Sequence, residues 1–181
     1  MNAAAINYAR GQYNPGGVSK VWYAFIDDIA TFPTLDPPES ATTLASLVEY
    51  SAAITMATGK QFQPLYCTLE TGELKSQMVG QRDGHGFENS AMISFPGNTS
   101  DFLGFKAYMA NTQCILIVEE KNGVLRVLGD LDNPAEMETV EDSSGAKIAD
   151  PRASKVTIKA SSSTPPPVYT ETMASLLTPG A

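Results

Sequence analysis

The stretch CILIVEEKNGVLRVLGD, residues 114–130, carries the strongest local signal for a fold in this sequence. It starts with a continuous apolar run from Cys114 to Val118, and a second apolar run follows from Val124 to Leu128. The pair Asn122-Gly123 between the two runs suits a type I′ turn, which joins antiparallel strands. The stretch therefore predicts a β-hairpin at the centre of a sheet.

Further strand patterns lie on both sides of this hairpin. Alternating polar and apolar residues, or runs of aromatic and β-branched residues, predict strands at 21–29, 47–56, 64–71, 73–79, 87–95 and 154–160. Short turns such as Thr71-Gly72 separate several of these strands, which favours a meander of antiparallel hairpins. We therefore expect a mainly β chain, folded as an antiparallel β-sandwich or half-barrel.

One short packed α-helix is expected within residues 98–113. Ser100 is the expected N-cap, and Asp101 follows it in the first turn, where the helix dipole favours a carboxylate. Phe102, Phe105 and Met109 recur at helical spacing and form one apolar stripe. Because a helix of about three turns is marginal by itself, we expect this stripe to pack on the sheet.

The flanking segments lack the pattern of a core. Residues 1–19 are small, polar and glycine-rich and are expected to form an N-terminal arm, while 161–181 form an extended C-terminal tail that docks on a neighbour. The domain between them spans 20–160 and includes a long proline-rich loop at 31–45, which contributes little to the core. The acidic segment 130–152 is expected to be a solvated loop.

Composition and charge limit the classes of function. No apolar run approaches the ~20 residues of a membrane span, and the N-terminus lacks the pattern of a signal peptide. We therefore expect a cytoplasmic place of synthesis and no membrane binding by this chain alone. The net charge of −8 and the lack of a basic patch argue against sequence-specific binding of nucleic acid. The same charge is compatible with DNA that passes through a channel without binding to its wall.

Residues with catalytic potential are few. His85 is the only histidine, and the stretch GQRDGHG around it predicts a hairpin connection, because glycines and Asp-Gly pairs supply turn conformations. Cys67 and Cys114 are expected to be small buried hydrophobes, with a disulfide or a thiol nucleophile as alternatives. The segment DLDN at 130–133 leaves calcium as an alternative, although the glycine and glutamate of an EF-hand loop are absent. No catalytic, metal-binding or cofactor-binding residue is predicted.

The order of these elements resembles tail tube (major tail) proteins of tailed bacteriophages, as in phages of Bacteroidota. The resemblance covers about residues 17–160. Three stretches mark it: NPGGVSKVW at 14–22, GQRDGHGF at 80–87 and IVEEKNGVLRVLGD at 117–130. None of the three is a catalytic fingerprint.

The resemblance implies a structural virion protein that is not an enzyme. Six copies join their sheets edge to edge into a ring, the rings stack into the phage tail tube, and an acidic lumen conducts DNA during ejection. The implied partners are further copies of this chain, other tail proteins (terminator, baseplate or tip, and a sheath where one exists) and genomic DNA as a non-specific passenger. The implied location is the virion, after assembly in the host bacterial cytoplasm.

Two groups of residues follow as expected contacts. The contacts between subunits and rings are assigned to Phe32, Pro33, Leu35, Pro37 and Pro38 of the loop, to Tyr8 and Tyr13 of the arm, and to Tyr169 of the tail. The acids that face the lumen are assigned to Glu70, Glu73 and Glu88.

Two alternative hypotheses about function remain open at this point. The chain is alternatively another virion component, such as a tail terminator, connector or decoration protein, which forms a ring or monomer without polymerising. It is alternatively a monomeric β-sandwich that binds a carbohydrate or protein through an exposed aromatic patch including Trp22 or Tyr66.

Overall fold

The structure, a computed structural model, describes residues 4–180. It contains twelve strands and one α-helix, together with short 3-10 turns. In chain order these are β1 Val18–Phe25, β2 Ile29–Thr31, β3 Glu49–Tyr50, β4 Thr55–Met56, β5 Gln63–Leu65, β6 Glu73–Val79, β7 Gly86–Pro96, α1 Ser100–Met109, β8 Cys114–Glu120, β9 Leu125–Leu128, β10 Glu136–Ser143, β11 Ala153–Ser162 and β12 Val168–Tyr169.

Two sheets build the sandwich. The larger has the strand order β3-β12-β9-β8-β1-β5, the smaller has the order β10-β11-β7-β6, and β2 and β4 form a separate pair. All neighbouring strands are antiparallel except β12 and β3, which are parallel. The expected fold class, a mainly β antiparallel sandwich with one short helix, is confirmed.

The hairpin β8–β9 lies at the centre of the six-stranded sheet, as the apolar runs predict. Its turn differs from the prediction. A type I′ turn needs positive φ at both central residues, whereas only Gly123 has one, at 87°, and Asn122 does not. The Gly123 N–H donates to the Glu120 carbonyl at 2.9 Å, and the Val124 N–H donates to Asn122 Oδ1 at 2.9 Å. The asparagine thus supports the turn through its side chain.

Two apolar cores lie on opposite faces of the six-stranded sheet. In the first, Leu116 and Val118 meet Ile93 and Ile158 of the four-stranded sheet. The second is covered mainly by loops and the C-terminal segment and contains Trp22, Tyr50, Ile54, Met56, Phe62, Ile115, Ile117, Tyr169 and Leu176. Strand β8 is therefore buried on both faces, which explains its unbroken apolar run.

Three predicted strands are shorter in the structure than in the sequence pattern. The strand expected at 21–29 ends at Phe25 and turns through a 3-10 segment before β2. In place of the strand expected at 47–56, the structure has two short strands, β3 and β4, with a bend between them. The strand expected at 64–71 is the short β5, and Leu69 beyond it is exposed. Alternation predicted the burial of Tyr50, Ile54 and Met56 but not the bends in the backbone.

The helix α1 packs on the sandwich through its predicted stripe, since Phe102 and Met109 are buried. The N-cap is Thr99 and not Ser100, because the Thr99 hydroxyl accepts from the Phe102 N–H at 3.3 Å. A threonine next to a serine offers the same capping chemistry, so the sequence did not distinguish them. Sequence reasoning missed Lys106, which is buried on the same side of the helix.

The acidic segment 130–152 is not the solvated loop that its charge indicates. Its middle forms β10, which pairs antiparallel with β11 over the whole of its length. Only Met137 of this strand is half-buried, because β10 lies at the edge of its sheet. An edge strand needs few apolar residues, and charged ones protect it from unwanted pairing. The many acidic residues of this segment therefore led the sequence analysis to predict a loop where the structure has a strand.

The C-terminal segment is not a free tail. Strand β11 continues to Ser162, and β12 inserts between β9 and β3 in the larger sheet. Tyr169 is 2% exposed, and its hydroxyl accepts from the Ile54 N–H at 3.2 Å. The expected domain limit at residue 160 is therefore wrong, because the segment up to Leu176 completes the second core of its own subunit.

The loop at 31–45 also contributes to its own subunit. The Phe32 ring packs edge-on against Tyr50 with 5.2 Å between centroids, and Leu35 packs on the second core. Ala41 is buried, while Pro37 and Pro38 are exposed. The expectation that this loop adds little to the core is wrong for Phe32, Leu35 and Ala41. The arm matches its prediction in part: β1 starts at Val18, and residues 4–14 are all exposed.

The buried Lys106 is neutralised by an acid from the edge strand. Its Nζ lies 2.6 and 2.7 Å from the two carboxylate oxygens of Asp142 and 3.2 Å from the Ser154 hydroxyl. The hydrogen bonds from Lys106 and Ser154 lower the pKa of Asp142. This contact ties the helix to β10 and β11.

We expect Asp142→Asn to reduce the free energy of unfolding at pH 7 by about 1–2 kcal/mol, because a half-exposed carboxylate is screened by water. A carboxylate whose pKa is lowered by folding stabilises the protein above its unfolded pKa of about 4, and this contribution is lost as the pH falls through the folded value. The difference between variant and parent should therefore shrink in urea titrations at pH values below about 4. Glu141→Gln, on the exposed neighbour of Asp142, is the control, and an equal loss in both variants would contradict the assignment.

Candidate functional site

The candidate site is the exposed face of the four-stranded sheet, here called the outer face. Ala91, Ile93, Val156 and Ile158 point into the first core, so the alternate residues of the same strands point to solvent. The strand register aligns these residues across the sheet. The outer face consists of Glu73, Lys75 and Gln77 of β6, Glu88, Ser90 and Met92 of β7, Lys155, Thr157 and Lys159 of β11, and Glu136, Glu138, Thr139 and Glu141 of β10.

The lysines of the outer face lie among carboxylates. Lys159 forms ion pairs with Glu88 and, at 3.2 Å, with Glu138. The hydrogen bonds to Glu88 and Glu138 raise the pKa of Lys159. Lys75 forms an ion pair with Glu73 at 3.0 Å. Acids outnumber bases on this face, so it carries a small negative charge with two of its three lysines neutralised.

Both edges of this sheet are open. Within residues 4–180, no strand pairs with the outer side of β6 or of β10, which are seven and eight residues long. The six-stranded sheet is different: its edge strands β3 and β5 have two and three residues, and β5 contains Pro64. Short strands and proline are ways of blocking an edge. The four-stranded sheet therefore presents two long templates for pairing with another chain.

The predicted lumen acids divide between two locations. Glu73 and Glu88 lie on the outer face, whereas Glu70 lies in the turn between β5 and β6 with φ of 64°. Its carboxylate is 3.5 Å from the Lys121 ammonium in the β8–β9 turn. Sequence reasoning missed the acids of β10, because a bulge after Met137 places the two apolar residues Met137 and Val140 three positions apart and breaks the two-residue period of a strand.

The predicted contact residues also divide. Tyr8, Tyr13, Pro37 and Pro38 are exposed and available to another chain. Phe32, Pro33 and Leu35 are half-buried. Tyr169 lies in the core of its own subunit, so its assignment as a contact between subunits is corrected.

The residues with catalytic potential do not form a constellation. His85 is exposed in the turn that joins β6 to β7, as predicted, and within residues 4–180 its ring makes no hydrogen bond or ion pair. The two cysteines are free, which excludes the disulfide alternative. Cys114 is buried as predicted, and burial raises its pKa to about 12, so it remains a thiol at neutral pH. Cys67 is only half-buried.

The aspartate that starts the DLDN segment has a structural role. Asp130 Oδ1 accepts from the N–H groups of Asp132 and Asn133 at 2.8 and 2.6 Å and closes the turn before β10. Among the described residues, no group of three or more potential ligands could hold a metal ion. The hypothesis of a monomeric binding module named Trp22 or Tyr66 for its exposed aromatic patch. Of these two residues Trp22 is buried and Tyr66 is exposed.

Comparisons of the chain with protein-family models, with curated proteins and with solved structures gave no match. In the part of the chain that the structure describes, no helix is long and apolar enough to cross a membrane.

Proposed function

We propose that the chain is the subunit of a bacteriophage tail tube, a structural virion protein that forms stacked hexameric rings around a channel for DNA. The observation that carries the proposal is the four-stranded sheet with two long open edges and one charged, solvent-exposed face. In a monomer such edges are a hazard, and closure into a ring removes them.

The strand count of this sheet suits ring formation. Because its four strands are antiparallel throughout, the edge strands β6 and β10 run in opposite directions. Rotation of a copy about a ring axis brings its β10 beside β6 of the next copy, and the two strands are then antiparallel. The pairing between copies is therefore antiparallel, as it is within one sheet. Because β10 of one copy contacts β6 of the next, the contact is heterologous and can close into a ring.

The dimensions of a hexamer suit duplex DNA. Six copies of a four-stranded sheet, with strands ~4.8 Å apart and tilted by ~40°, form a barrel about 48 Å across at the backbone. Side chains narrow the bore to roughly 38 Å, which exceeds the ~20 Å width of the duplex. Four copies would leave roughly 22 Å, with almost no clearance.

The outer face would line this bore. Its excess of carboxylates and its ion-paired lysines, Lys75 and Lys159, offer few free cations to the phosphates. Since DNA binding depends on phosphate neutralisation by lysine and arginine, such a wall lets DNA slide. Glu73 and Glu88 are the lumen acids of this proposal, joined by Glu136, Glu138 and Glu141.

Negative-stain electron microscopy of the purified chain over a range of concentrations tests the proposal. We expect rings and stacked tubes with a central hole wider than duplex DNA. Rings that never stack would favour a terminator or connector. Small particles at every concentration, also after addition of tail initiation complexes, would contradict the proposal and favour a monomeric binding module.

A further inference from the structure

The N-terminal arm exposes large apolar side chains that its own subunit does not cover. Ile6 is 88% exposed, Tyr8 67% and Tyr13 77%. Residues 4–14 are all exposed, and the arm joins the body only near Gly17, whose carbonyl accepts from the Lys121 N–H at 3.1 Å. Large apolar side chains grouped on one exposed segment indicate a binding partner.

The charge of the arm is opposite to that of the body. Residues 1–17 contain Arg10 and no acid, so all 20 carboxylate side chains of the protein lie after them, together with 11 of the 12 lysines and arginines. An arm with one cation attached to a strongly acidic body is complementary in charge to another copy of that body. This complementarity indicates a second copy of this chain as the partner.

A mainly polar cleft at the far end of the sandwich combines carboxylates with one pair of aromatic rings. It has a volume of about 570 Å³ and lies between the end of β1, the last turn of α1 and the start of β10. Phe25 and Tyr108 line it as an edge-to-face pair with 4.8 Å between centroids, and Asp27 and Glu136 provide carboxylates. The helix dipole adds partial negative charge at this end of α1.

Asp27 is the free acid of this cleft. Glu136 accepts a hydrogen bond from the Gln113 amide at 2.7 Å. By contrast, the Asp27 carboxylate makes no hydrogen bond or ion pair with any residue from 4 to 180, and the nearby Lys60, which pairs with Asp28 at 2.7 Å, attracts it only at longer range. It is therefore available to a guanidinium group from another chain.

The arm and the cleft lie at opposite ends of β1. The arm leaves beside Val18, which pairs with Glu120, while Phe25 at the other end of β1 pairs with Cys114 at the cleft. The eight residues of β1 span about 26 Å, and residues 4–17 reach up to roughly 45 Å when extended. In a head-to-tail stack of copies, the arm of one copy therefore lies within reach of the cleft of the next.

We propose that the arm of one copy binds in this cleft of a second copy. Arg10 pairs with the carboxylate of Asp27, Glu136 adds to the negative charge of the cleft, and Tyr8 and Tyr13 pack against Phe25 and Tyr108. The order of copies in a stack rests on the proposed function, whereas the contact between arm and cleft requires only two copies.

Photo-crosslinking in the full-length chain tests the contact. The photoreactive amino acid p-benzoylphenylalanine replaces Tyr8, and copies labelled with ¹⁵N are mixed with unlabelled copies before irradiation. We expect crosslinked peptides of mixed isotope content that join the arm to residues 25–27 or 108–113. Crosslinks within one copy only, crosslinks to another surface, or no crosslinks would each overturn the proposal.

A charge exchange supplies an independent readout. We expect Arg10→Glu to reduce the yield of mixed crosslinks by about five-fold, and Asp27→Lys to do the same, because each replaces an attraction by a repulsion. The double variant should recover most of the yield. Glu171→Lys, an equal charge change on an exposed residue away from the cleft, should have no effect, and the absence of recovery would contradict the pairing of Arg10 with Asp27.

The two proposals fail in different ways. Rings without mixed crosslinks would refute the arm contact and leave the ring intact. Mixed crosslinks in a preparation that forms no rings would support the arm contact and count against the tail tube.

Discussion

Replacement of Leu176 by alanine is expected to lower the free energy of unfolding by about 2–5 kcal/mol, the range for large-to-small changes in a close-packed core. The Leu176 side chain is completely buried in the second core, and its carbonyl accepts from the Phe62 N–H at 2.9 Å. The alanine keeps this backbone hydrogen bond and leaves a cavity. For a domain of this size the melting temperature should fall by roughly 5–15 °C.

The next residue provides a matched control. Leu177 is 39% exposed, so Leu177→Ala should cost less than about 1 kcal/mol. Urea unfolding of both variants, followed by circular dichroism, measures the difference. If the C-terminal segment were a loose tail, the two leucines would behave alike, and equal effects would contradict the placement of Leu176 in the core.

The second large effect is expected at the open edge of β6. Neighbouring residues of a strand direct their N–H groups to opposite sides, one toward the paired strand and one toward the free edge. Gln77→Pro and Met78→Pro therefore remove one donor of each kind, since proline has no N–H. One variant should remain folded and lose all rings and tubes, because proline removes a ladder hydrogen bond at every junction and leaves the partner carbonyl unsatisfied, a cost of about 1–3 kcal/mol at each interface. The other should lose stability by a similar amount through its pairing with β7.

Electron microscopy and thermal unfolding of the two proline variants separate these effects. His85→Ala, in the exposed turn between β6 and β7, is the control and should leave stability and assembly nearly unchanged. Rings in both proline variants would show that β6 does not form the junction. Loss of rings in the histidine variant would contradict the assignment of GQRDGHG as a simple turn.

The sequence predicted the parts of this fold that depend on local periodicity. The apolar runs of β8 and β9, the polar strand pattern of β6, the alternation in β7 and the aromatic stripe of α1 each match an element of the structure. Periodicity reports which faces are buried, and this signal is strong wherever a strand or helix packs on one side. It does not report bends, which is why residues 47–56 form two short strands with Ala52 exposed between them, although Tyr50, Ile54 and Met56 are buried as predicted.

The errors occur where tertiary contacts decide the structure. The strand β10 is acidic because it lies at an edge, and the pairing that stabilises it comes from β11. The burial of Tyr169 depends on the parallel pairing of β12 with β3, which joins segments more than a hundred residues apart. Similarly, the cleft beside Asp27 combines three distant parts of the chain, so no local pattern could reveal it.

The position of β12 also has a consequence for synthesis on the ribosome. Every strand of the larger sheet except β12 precedes residue 129, but the second core closes only when residues 168–176 have been made. Until then the nascent chain exposes Trp22, Ile115 and Ile117 on one face of an incomplete sheet. Such intermediates are prone to aggregate. Chaperones that bind apolar segments should therefore associate with the growing chain late in translation and leave when Leu176 docks, which ribosome profiling of chaperone-bound nascent chains would detect.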